Sequence, residues 1–329
     1  MRKAIYWIAS LGLAAVLLYY SLRGIDWVRV WTIFRGAKPG LVLLGVGLIS
    51  FALFLRAARW RVLLSSEGKV PMPLAFWATA AGYLGNNVLP ARAGEVVRTV
   101  MISRRLAMSK TFVLTTALSE RVVDAIALIT ISSTVLLSLS EKPGWLANAA
   151  RPFAILGFAG VAAIALVPAF EAFWFRFLTF LPVPHRLRER VEHVLRQGLQ
   201  GIRSFHDRGR LSRFLLLTVI IWCLDGVTTV VGARAIGISI GLPIAFLLVA
   251  GLGLGSALPS TPGYVGIYQF VAVSILTPFG FSKTDAIAYI LLFQAMNYVV
   301  VLGWGLMAFT RQRKVSTLDL DEQVAATPS

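Results

Sequence analysis

Charge is scarce in this chain, and most of it has one sign. Only 14% of the 329 residues are Asp, Glu, Lys or Arg, against 57% apolar ones. A soluble domain carries about 25% charged residues to keep its surface in water, so a soluble-domain reading is excluded. Cysteine occurs once, as Cys223 inside an apolar run, which rules out a disulfide framework and argues against a thiol nucleophile. The histidines are His185, His193 and His206, all in one polar segment and without metal-ligand spacing,. There is no Walker motif and no Ser-His-Asp arrangement. Gly251-Leu-Gly-Leu-Gly255 has no strand before it, so it reads as small residues that let helices approach rather than a dinucleotide loop. No metal, no cofactor and no enzymatic activity are expected on these grounds.

What the sequence does have is long apolar runs. Segments at about 4–22, 40–58, 111–139, 152–170, 212–235 and 285–310 each approach the roughly 20 residues that a spanning helix needs,. The first resembles a signal peptide, but Ser21-Leu22-Arg23-Gly24 offers no small-x-small cleavage site, and a retained helix is expected. Two further apolar regions, 74–105 and 243–278, are interrupted: the first at Pro90 and Gly94, the second at Pro259, Pro262 and Gly263. Proline lacks the donor that continues a helix and disfavours helix in the residue before it. Each region therefore reads as two half-length helices meeting at an irregular turn. Such backbone survives at membrane depth only where protein or a watery cavity satisfies it. Re-entrant hairpins are expected, with a pair of kinked ordinary spans as the alternative.

The two broken regions resemble each other. Pro73-Leu-Ala-Phe76 returns as Pro243-Ile-Ala-Phe246, and Gly85, Pro90 and Gly94 have counterparts at nearly constant spacing in Gly255, Pro259 and Gly263. With both termini in the cytoplasm, most Lys and Arg fall on cytoplasmic segments, as topology demands. That also accounts for the net charge of +17 without nucleic acid. The units 40–139 and 212–310 then run in opposite orientations, an inverted repeat of the kind that places a substrate site between two halves. The expectation is an all-α membrane protein: six full transmembrane helices and two re-entrant broken-helix hairpins in one domain, 1–314. The segment 171–211 is basic and amphipathic, lying on the inner leaflet or packed under the bundle. Residues 315–329 read as a disordered cytoplasmic tail.

Charges at membrane depth are costly and normally face a cavity or a partner. One group, Asn86, Asn87, Arg92, Glu95 and Arg98, surrounds the first break. A second, Glu120, Arg121 and Asp124, lies in the third span, where Glu120 and Asp124 are four apart and share a helix face. A third is thinner: Asp225, Gln269, Gln294 and Asn297. The functional reading is a polar cavity whose arginines hold a phosphate through their planar forks. The bland readings are ion pairs that only close the bundle, or Arg98 and Arg121 snorkelling to the headgroups.

The stretch Gly85-Asn86-Asn87-Val88-Leu89-Pro90-Ala91-Arg92-Ala93-Gly94-Glu95-Val96-Val97-Arg98 resembles the lysylphosphatidylglycerol synthase transmembrane family, also called flippase-like membrane proteins. Glu120-Arg121-Val122-Val123-Asp124, the break at Leu258–Gly263, and Gly266 with Gln269 agree in order and spacing. The resemblance covers about residues 5–310. It implies a bilayer-embedded module that handles lipids. In long members a soluble aminoacyltransferase domain follows; here little chain remains after Met307, so lipid aminoacylation is not expected. Short members accompany glycolipid, hopanoid or polyprenyl-linked glycan synthesis, so the substrate does not carry over. The resulting expectation is a translocase of an anionic phospholipid or glycolipid in the cytoplasmic membrane. Arg92, Arg98 and Arg121 would contact its phosphate. Glu95, Glu120 and Asp124 would orient those arginines or couple a proton. Asn86, Asn87, Asp225, Gln269, Gln294 and Asn297 would line the cavity. The alternatives are an accessory scaffold for a lipid or glycan synthase, and a membrane enzyme acting on a lipid phosphate.

Overall fold

The computed structural model describes residues 2–89, 93–139, 207–257 and 262–325, with isolated positions between them; at 2–10 and 312–325 it describes the backbone alone. All regular structure among the described residues is helical. Ten α-helices run in order: α1 Arg2–Leu22, α2 Trp27–Arg35, α3 Pro39–Leu64, α4 Met72–Val88, α5 Gly94–Leu106, α6 Lys110–Ser138, α7 Arg208–Ala235, α8 Leu242–Gly255, α9 Ile267–Leu276 and α10 Lys283–Ala325. Most of the expected span 152–170 and of the basic segment 171–211, and Pro90, Arg92 and Pro259, lie outside the described residues.

Among the described residues four helices are long and apolar enough to cross a membrane: α3, α6, α7 and the Lys283–Arg311 part of α10. They match four of the six expected spans. The expected first span is helical, but Leu11–Leu22 passes that test only together with α2, from which it is bent by 83°. Helix α10 continues to Ala325, into the stretch that composition alone reads as a tail. Large apolar side chains such as Leu43, Leu137, Leu216, Val299 and Leu306 face outward. Water would not tolerate so continuous an apolar surface; lipid does.

Helix α2 was not anticipated, because nine residues are too few for a periodic pattern to stand out. Its start has a local cause: the Asp26 carboxylate accepts from the Arg29 backbone N–H at 2.9 Å, satisfying one of the orphan donors of the first turn. Val30 then buries its side chain in the cluster around α8, α9 and the start of α10. Asp26→Ala is expected to destabilise the folded protein by about 1 kcal/mol, seen as a small drop in thermal midpoint in detergent.

Each broken region folds back on itself. A Cβ placed on Gly85 would lie 2.7 Å from the Cα of Gly94, and one on Gly82 3.2 Å from the Arg98 side chain. This pairing brings α4 and α5 together antiparallel, with glycine permitting the close approach. In the second region a Cβ on Gly251 would meet Ile275 at 2.5 Å, and one on Gly255 would meet Ile267 at 3.0 Å. The short helices are therefore hairpins, not halves of kinked spans. Pro73 and Pro243 both sit in a first turn, of α4 and α8, where a missing N–H costs nothing. Gly263, at φ 72°, lies in the 3-10 turn Pro262–Tyr264, and a side chain there would strike the Tyr298 hydroxyl.

The packing repeats as the elements do. α3 packs on α4 as α7 packs on α8, α5 on α6 as α9 on α10, and α4 reaches across to α10 as α8 reaches across to α6. The most extensive contact, α3 with α7, joins the leading helices of the two units.

Candidate functional site

Helix α6 presents Glu120 and Asp124 on one face, and opposite them α3 supplies Arg59. The Arg59 guanidinium donates to Glu120 Oε1 from Nε at 3.1 Å and Nη2 at 2.9 Å, and to Asp124 from Nη1 at 2.6 Å and Nη2 at 2.9 Å. A fifth bond, 3.2 Å long, reaches Thr218 Oγ1 of α7. Helix α5, opened by Gly94, places Glu95 in its first turn and Arg98 one turn later. Arg98 donates to Glu95 Oε2 at 2.5 Å and to the second oxygen of Glu120 at 3.0 Å, with its guanidinium 4.4 Å from the centre of the Trp60 ring. Arg121, turned away from its neighbours on α6, bonds Glu95 Oε1 at 2.9 Å and lies 3.7 Å from Asp124.

These contacts close a ring: Arg59, Glu120, Arg98, Glu95, Arg121, Asp124 and back to Arg59. Positive and negative members alternate and balance. Arg59 and Glu120 are 1% exposed and Arg98 is 2% exposed. Taking ions from water costs several kcal/mol each unless geometry and further hydrogen bonds compensate, and here every ion has two opposite partners.

One edge of the ring meets a cavity of about 250 Å³ between the two units. Its polar side carries Arg121, Asp124, Asn86 and Asn87, and beyond them Arg56 of α3 paired with Asp225 of α7 at 2.5 Å. Gln294, Asn297 and Tyr298 of α10 face it from the other side, and Leu53, Leu128, Val249 and Leu252 make the walls apolar. Such a chamber, mostly apolar with a few convergent polar groups, is the usual form of a ligand site. Among the described residues no group of His, Cys, Asp and Glu is placed to hold a metal.

Among the residues singled out from sequence, Arg121, Asp124, Asn86, Asn87, Asp225, Gln294, Asn297 and Gly263 lie at the cavity. Gln269 lies behind it. Its carbonyl accepts from the Gly266 N–H at 2.8 Å and its amide donates to Gln294 at 2.5 Å. Gln294 and Tyr298 in turn donate to the Gly263 carbonyl at 3.1 and 2.9 Å, fixing the second turn. Glu95, Glu120 and Arg98 stand in the ring behind the cavity wall. Arg98 does not snorkel; all three of its nitrogens are engaged within the bundle. The sequence reading missed Arg56 and Arg59, which share a face one turn apart on α3.

The family model of the lysylphosphatidylglycerol synthase TM region matches residues 7–305. Glycosyltransferase AglD of Haloferax volcanii is 27% identical over 89% of this chain and 51% of its own length. The chain thus spans about half of that relative. UPF0104 membrane protein MJ1078 of Methanocaldococcus jannaschii is 22% identical over 68% of this chain and 92% of its own. No solved structure matches.

Proposed function

This chain belongs to the lysylphosphatidylglycerol synthase TM-region family, and on that premise we propose that it binds an anionic phospholipid or glycolipid and moves it across the cytoplasmic membrane. The observation that carries the proposal is the cavity between the two units, where Arg56 and Arg121 stand among a few polar groups in a mostly apolar chamber. A guanidinium has five N–H donors, more than the carboxylates use. Arg56 gives one nitrogen to Asp225, and Arg121 binds Glu95 through Nε. Both keep donors for a phosphate. Arg92 is proposed as a third contact, and Arg98 as the residue that holds Glu95 and Glu120 in place.

The two hairpins are taken to enter the bilayer and return, one from each side, in units of opposite orientation with both termini cytoplasmic. The matching contacts of α3–α4 with α7–α8 and of α5–α6 with α9–α10 support a repeat. An inverted repeat moves a central site from one side to the other by rocking one unit on the other.

The test is movement of a headgroup-labelled anionic lipid in proteoliposomes, with a quencher confined to the outer leaflet. The protein should abolish the protected signal. Arg121→Ala should slow that loss about tenfold or more, because a hydrogen bond to a charged group contributes about 1.5–3 kcal/mol. Unchanged movement in both Arg121→Ala and Arg56→Ala would refute the assignment.

A second reading is favoured by the relative named a glycosyltransferase: this chain acts in lipid-linked glycan synthesis, as the membrane part of an enzyme or beside a lipid or glycan synthase. A covalent product formed by the purified protein would favour it over translocation.

A further inference from the structure

The charges at the cavity are not equally committed. Every ion of the ring has two opposite partners, so removing any one strands two others. Arg56 and Asp225 each have one ionic partner among the described residues, namely each other. Their side chains are 18% and 19% exposed, whereas Arg59, Arg98 and Glu120 are at 2% or less. They also sit 169 residues apart, the separation that relates Pro90 to Pro259 and the start of α3 to the start of α7. The pair thus occupies equivalent positions of the two units, on the helices whose contact joins them. A motion of one unit against the other at this contact acts on the pair.

Resting on the lipid reading above, we infer that Arg56–Asp225 is the exchangeable element of the site: a lipid phosphodiester takes Arg56 from Asp225, and the released Asp225 accepts a proton from the aqueous phase. The exchange balances. One phosphodiester charge replaces one carboxylate charge, and an O–H bond forms on Asp225 as its ion pair with Arg56 breaks. Among the described residues no other cation is free to neutralise Asp225. On α3 the next cation is Arg59, bonded to both Glu120 and Asp124. On α6, Arg121 is held by Glu95 and Asp124, itself an anion. Helix α4 offers the phenol of Tyr83, and α10 the uncharged Gln294, Asn297 and Tyr298. Trp222, one turn before Asp225 on α7, gives Arg56 only a ring face, 6.0 Å from its guanidinium carbon. An unpaired carboxylate among apolar walls is disfavoured as the anion and binds a proton.

The experiment is calorimetric titration of the whole protein in detergent with dihexanoyl-phosphatidylglycerol, in two buffers of different ionisation enthalpy. This phosphodiester stays singly charged around neutral pH, so proton uptake reports on the protein. Wild type should take up about one proton per lipid bound, as linkage requires for one exchanged acid. Asp225→Asn should bind at least as tightly with no uptake, and Arg56→Gln should bind about tenfold more weakly or worse. Lipid bound by wild type without proton uptake overturns the inference, as does uptake persisting in Asp225→Asn. Binding that needs Arg121 but not Arg56 overturns it and leaves the lipid reading standing. No binding by wild type overturns both. The wild-type uptake is decisive even where a variant does not fold.

Discussion

Glu120→Gln is expected to destabilise the protein by about 3–5 kcal/mol, although it changes one charge and almost no volume. Glu120 gives one oxygen to Arg59 and the other to Arg98. Glutamine keeps one acceptor and turns an N–H donor toward a guanidinium. It also leaves the ring with an uncompensated positive charge at a place with almost no access to water. The measurement is the thermal midpoint of the detergent-solubilised protein, expected to fall by about 10 °C. A second variant isolates the cause. Arg98→Met added to Glu120→Gln restores neutrality, and the pair should recover about 1–3 kcal/mol relative to additivity, since partners in one network couple. Glu120→Gln within about 0.5 kcal/mol of wild type, the range of ordinary surface changes, would mean the ring does not hold the bundle.

Why the sequence shows five members of the ring but not Arg59, nor Arg56 beside it, follows from how spans are recognised. Glu95, Arg98, Glu120, Arg121 and Asp124 stand out because each interrupts an apolar stretch beside a break or in mid-span. Arg56 and Arg59 stand where an apolar run ends among Arg56, Arg59 and Arg61, and positive residues at the end of a span usually mark the headgroups. The reading therefore stopped that span near residue 58. In the structure α3 runs on to Leu64, and its arginines part ways: Arg59 turns inward to the acids of α6, while Arg61 bonds the Val70 carbonyl at 2.7 Å. Charge arithmetic gave no signal either, because Glu95, Glu120 and Asp124 are matched in number by Arg92, Arg98 and Arg121.

The hairpins were more legible, because proline and glycine act locally. Pro90 with Gly94, and Pro262 with Gly263, point to turns from the residues alone. Two short apolar helices could still have continued into one kinked span. What decides for hairpins is small residues facing each other across the turn, Gly82 and Gly85 against Gly94. That is a tertiary fact, which one strand of text carries only as an unexplained run of glycines.

Gly94 is also where a single methyl group should do the most damage. A Cβ there would fall onto the carbonyl oxygen of Gly82 and lie 2.6 Å from both the backbone N and the side-chain Oδ1 of Asn86. These are mainly backbone atoms of a packed helix, so no flexible side chain can give way, and overpacking costs about 1–3 kcal/mol even where neighbours can shift. Relief requires α5 to move off α4. Helix α5 carries Glu95 and Arg98, so the same displacement breaks the ring at two of its members and takes Glu95 from Arg121, which lines the cavity. Gly94→Ala is therefore expected to cost more than overpacking alone, with a midpoint lowered at least as far as in Glu120→Gln and loss of anionic-lipid binding. The control is Gly303→Ala on α10, where an added Cβ meets nothing within 4 Å. Alanine is the better helix former by about 1 kcal/mol, so this variant should match or exceed wild type. If Gly94→Ala behaves like Gly303→Ala, then α4 and α5 do not close on each other, and the ring they help to build cannot be the element that organises the site.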